Sequence, residues 1–112
     1  MPLYMAQFNY TPETWAALVQ HPENREEAVG AVLSQHGCAL HHIWYAFGEA
    51  DGFALIEAPA NVNAASVAIA IAASGGFTSF KTTVLMSQDE ALDAMRQASE
   101  LGYTAPGQAV HA

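Results

Sequence analysis

Apolar and polar positions change rhythm along this chain, and the changes mark out strands and helices before any motif is considered. Leu3–Tyr10 reads as an aromatic-rich strand, and Thr11 then offers an N-cap with Pro12 at the first helical position. Trp15, Leu18 and Val19 form one apolar stripe, Pro22 interrupts it, and Val29, Val32, Leu33 and His36 continue it until Gly37. That spacing predicts a kinked or two-piece helix from Thr11 to His36. Ala39–Phe47 and Gly52–Ala58 follow as strands joined by a tight turn within Gly48–Asp51, in which Asp51 is expected to bond its own backbone. Asn61 is expected to cap an Ala-, Val- and Ile-rich helix that stops at Gly75-Gly76, and Phe77–Met86 is the fourth strand. Ser87 and Glu90 are spaced as a capping box, opening a last helix that carries Leu92 and Met95 and closes near Gly102. Residues 1–102 thus form one domain, and 103–112 a loose tail or an arm that docks on a partner.

The element order is strand–helix–strand twice, with one helix added. Two interlocked right-handed crossovers give a ferredoxin-like α+β fold, βαββαβ, with a four-stranded antiparallel sheet in the order four, one, three, two. Its helices cover one face only. Yet both alternations in the second strand are largely apolar, with Ile43, Tyr45 and Phe47 on one side and Trp44 and Ala46 on the other. A sheet with one wet face alternates apolar with polar. The bare face is therefore expected to pair with a second copy, making a homodimeric α/β barrel.

Composition sharpens this. Of 112 residues, 52% are hydrophobic and 12% charged, more apolar than a small monomer buries easily. The net charge of −8 and the absence of a basic cluster argue against nucleic acid and anionic membrane surfaces as partners. Cys38 is the only cysteine, which excludes an intrachain disulfide, and no secretory pattern opens the chain. The longest small-apolar run, Ala64–Ala73, is too short to span a bilayer. A cytoplasmic location is the expectation.

Several segments resemble one family. They are Met1–Tyr10 followed by Thr11-Pro12-Glu13, the Tyr45-Ala46-Phe47-Gly48 strand end, Asp51, and the Glu57-Ala58-Pro59 exit. Over about residues 1–88 they look like the GYD-domain family. Gly48 and Asp51 match its Gly-Tyr-Asp turn, with Ala50 at the tyrosine position. The resemblance implies the dimeric α/β-barrel arrangement, shared by cofactor-independent monooxygenases, dehydratases and non-catalytic binders. It carries over no catalytic residue.

Strand register sorts the residues that could carry chemistry. A two- or four-residue turn sets His42 opposite Glu57, Trp44 opposite Leu55 and Phe47 opposite Gly52. The bare face then collects Gln7, Asn9, His42, Trp44, Phe53, Glu57, Ser79, Lys81 and Thr83. Flat apolar rings beside convergent polar groups are the composition of a small-molecule pocket. His42 and Glu57 form the candidate acid–base pair, with the carboxylate orienting the imidazole. Gln7, Trp44, Phe53 and Lys81 are the candidate substrate-binding residues. The alternative is a pocket, or a dimer, without catalysis. No cofactor is called for. No metal is expected either, because His41 and His42 are adjacent in a strand and should face opposite ways. Cys38 reads as a small buried hydrophobe.

Overall fold

The computed structural model describes residues 1–108. It contains β1 (Leu3–Tyr10), α1 (Pro12–Gln20), α2 (Arg25–Ser34), β2 (Ala39–Tyr45), β3 (Gly52–Glu57), α3 (Asn61–Ala73), β4 (Phe77–Leu85) and α4 (Gln88–Ser99). The sheet order is β2-β3-β1-β4, every described pairing is antiparallel, and the arrangement is α+β and ferredoxin-like.

Pro22 divides the first helical region into two. The Thr11 hydroxyl accepts from Thr14 N at 3.1 Å to start α1, and Asn24 Oδ1 accepts from Glu27 N at 3.2 Å to start α2. Asn61 does not cap α3. Ala60 holds the N-cap place without a side-chain bond, and Asn61 Oδ1 instead accepts a 2.7 Å bond from the Tyr4 hydroxyl. That bond ties α3 to the most buried large side chain of β1.

The core lies between the sheet and helices α2 and α3. Tyr4 and Ala6 of β1, Ala54 and Ile56 of β3, Leu33, Cys38, Ala58 and Ala64 form it, with Leu40, Ile43 and Phe80 packed against it. Cys38 is buried and unpaired. Edge strand β2 is not left bare, because Glu26 of α2 accepts from Ile43 N at 2.9 Å. Bonding an edge amide in this way blunts the tendency of open strands to pair with strangers.

The hairpin between β2 and β3 is longer than the turn chemistry suggests. Tyr45 pairs with Gly52, Trp44 with Phe53, and His42 with Leu55, so the register is two residues from the expected one. An even shift preserves the faces. The cause lies at Asp51. Its Oδ2 accepts from Tyr10 N at 2.9 Å and from Trp15 Nε1 at 3.0 Å, while its own N–H bonds Phe8 O and Asn9 Oδ1. Asp51 is thus a latch onto β1 and α1, and not the self-bonding turn residue expected from sequence. Gly52 follows because the Phe8 ring lies on it, and a Cβ there would also meet Trp44 O at 2.7 Å.

A second irregularity sits between Leu40 and His42, where the register slips by one residue. Such a β-bulge places two residues against one on the partner strand.

Helix α4 stands apart. None of its residues is buried, and the molecule measures 68 × 30 × 23 Å. The radius of gyration is 18.8 Å, where a compact domain of this size would have about 13 Å. The capping box at its start is formed, with Glu90 N donating to Ser87 Oγ and Ser87 N to Glu90 Oε1. The last four residues of the expected tail, 109–112, lie outside the described residues.

Candidate functional site

Strand pairing arranges the bare face in transverse rows. One row crosses all four strands: Lys81 of β4 opposite Gln7 of β1, Gln7 opposite Phe53 of β3, and Phe53 opposite Trp44 of β2. The four residues expected to contact a ligand are therefore in register, over about 14 Å at the usual strand spacing. The next row runs Thr83, Met5, Leu55, His42, and the one beyond it Leu85, Leu3, Glu57, Ala39. On the other side of the first row, Asn9 Nδ2 donates to Ser79 Oγ at 3.0 Å.

The expected pairing of His42 with Glu57 is not the one formed. Glu57 bonds His41, Nε2 to Oε1 at 2.9 Å, with side chains 42% and 28% exposed. His42 lies one row away and packs its ring against Trp44, centroids 5.3 Å apart. The bulge explains both positions. In a regular strand His41 and His42 would face opposite ways, but the extra residue lets both lie toward the bare face. The signal was present in the sequence. Leu40 and Ile43 are both apolar and both pack against the core, and two residues three apart in a strand reach one face only if an extra residue intervenes.

The helix face carries two clefts, and none of Gln7, His42, Trp44, Phe53, Glu57 or Lys81 lines either. One, of about 760 Å³, opens beside Tyr10, Thr14, Arg25 and Gly76; the other, of about 570 Å³, separates α2 from α3. At the first, the Tyr10 and Tyr45 hydroxyls lie 3.3 Å apart. Burial, reinforced by the bond to Tyr45, pushes the Tyr10 phenol above its ordinary range, with nearby Arg25 opposing the shift. A phenol so held stays protonated and acts as a hydrogen-bond donor.

Among the described residues no group of three or more His, Cys, Asp and Glu side chains is placed to hold a metal ion. No described helix is long and apolar enough to cross a membrane.

A family model described as the GYD domain matches residues 4–95 of the chain. No curated protein matches it.

Proposed function

The chain belongs to the GYD-domain family, and on that premise we propose that it binds a small molecule on the bare sheet face, enclosed by the same face of a second copy. The observation that carries this reading is the transverse row Lys81–Gln7–Phe53–Trp44. It joins one fixed positive charge, one amide and two flat rings. Such a row suits an uncharged or anionic, partly aromatic ligand. Trp44 is 46% exposed in the single chain, and covering it supplies the apolar gain for pairing. Two such faces packed about 10 Å apart form a dimeric α/β barrel, and an obligate contact of this kind buries on the order of 2,000 Å². Ala50 is buried. Taken as the place of the family's turn tyrosine, it leaves no ring there to reach a ligand. The lone Cys38 and the charge of −8 fit a cytoplasmic protein without nucleic-acid partners.

A second reading is acid–base catalysis on a carbonyl-bearing ligand without a cofactor. The 2.9 Å bond between His41 and Glu57 favours it, with His41 taking the role first assigned to His42. A neutral imidazole oriented by a carboxylate accepts a proton on its free nitrogen.

Thermal unfolding in the presence of benzoate, salicylate and phenol tests the binding reading. Ligand bound only to the folded chain raises the midpoint with concentration. Lys81→Met and Phe53→Ala should abolish the rise, while the helix-face change Thr14→Ala should leave it. No rise with any probe, or one that survives both substitutions, contradicts the site. His41→Ala separates the two readings, since catalysis requires the imidazole and binding along the row does not.

A further inference from the structure

Among the described residues, two further apolar surfaces stand out away from the bare sheet face. The first is the cleft between α2 and α3, walled by Val29, Val32 and Leu33 on one side and Val67 and Ile71 on the other, with Cys38 among its lining residues. Val32 is 56% exposed in it. The second is the stripe Ala91, Leu92, Met95 and Ala98 along α4, spaced as one helical face. Leu92 and Met95 are 44% and 65% exposed. A helix of about twelve residues is marginal in water on its own, so α4 needs a surface to pack on.

Its own cleft is out of reach. Only Met86 and Ser87 separate β4 from α4, and two residues span at most about 7 Å. The one β4 residue lining the cleft, Phe77, stands at the opposite end of the strand from Leu85, about 27 Å away along it. Instead, no residue of α4 is buried and the molecule is 68 Å long, as for an arm held off the rest of the fold. Charge is compatible as well. No carboxylate lines the cleft, whose one cation, Arg25, is paired with Glu23 at 2.9 Å, so the acidic first turn of α4, Asp89 and Glu90, meets no opposing negative charge there.

We propose that α4 of a second copy of this chain lies in the α2–α3 cleft, apolar stripe inward, as an exchanged arm. The exchange does not depend on the sheet-face pairing or on any ligand.

Hydrogen exchange resolved along the full chain tests it, because it reads α4 directly whatever else holds the copies together. In the native assembly the α4 amides should be protected. Val32→Glu, on α2, should speed exchange in α4 by about tenfold or more. Ala70→Glu, on the opposite wall and exposed, should do the same, so the test does not rest on one variant's folding. Mixing Val32→Glu copies with copies carrying Leu92→Lys and Met95→Lys then decides between molecules. The Val32→Glu copies keep an intact stripe and now meet an intact cleft, so their α4 should recover protection. Native α4 exchanging freely, exchange in α4 indifferent to both cleft substitutions, or no recovery on mixing overturns the proposal.

Discussion

Asp51 bonds to parts of the chain far from it in sequence. It holds the hairpin, the end of β1 and the start of α1 together through bonds to Tyr10 N and Trp15 Nε1. Asp51→Ala leaves the part-buried Tyr10 N without this partner, while the exposed Trp15 Nε1 turns to water, and should lower stability by about 1–3 kcal/mol. Urea unfolding measures that loss, and Trp15 fluorescence should shift to the red as its ring loosens. Gly52→Ala should cost about as much by overpacking, since the new methyl meets the Phe8 ring and the Trp44 carbonyl. Local turn chemistry suggested that Asp51 mattered but not how, because its partners lie 36 and 41 residues away in sequence. His41 was concealed differently. Strict alternation sends it to the face opposite His42, and only the apolar pair Leu40 and Ile43, both packed against the core, betrays the bulge.

At the scale of elements, what could be read from sequence was whatever is closed within a few residues. The Thr11 cap, the break at Pro22, the stop at Gly75 with its φ of 79° and the Ser87–Glu90 box all stand where local chemistry put them. The strand order followed from crossover handedness. The register did not, because it was set by the tertiary latch at Asp51, although the even shift kept every candidate on its face. The capping box also predicts a pH effect. Bonds from the Ser87 backbone and side chain hold the Glu90 carboxyl below its ordinary range. A carboxyl depressed in the folded state stabilises above its unfolded pKa, and that contribution is lost as pH falls through the folded value. The first turn of α4 should therefore loosen as pH falls below the ordinary glutamate range, seen as faster exchange of the Ser87 and Glu90 amides. Glu90→Ala should show the same loosening at neutral pH.

For the whole molecule, a chain that is 52% hydrophobic leaves, among the described residues, a sheet face, a helical arm and an inter-helix cleft without partners of their own. The sheet face carries the row of Lys81, Gln7, Phe53 and Trp44, so its pairing and its ligand belong to one account. Sedimentation equilibrium of the Val32→Glu chain, in which the arm contact is disabled, with and without Leu55→Asp tests that account most directly, because Leu55 lies mid-face in the row next to the binding row. The Val32→Glu chain should still sediment as a dimer at micromolar concentration. A carboxylate forced into the joined faces should weaken that dimer about a hundredfold or more while the far-ultraviolet circular dichroism stays unchanged. A Val32→Glu chain that sediments as a monomer, or a dimer whose dissociation constant Leu55→Asp leaves untouched, would contradict it.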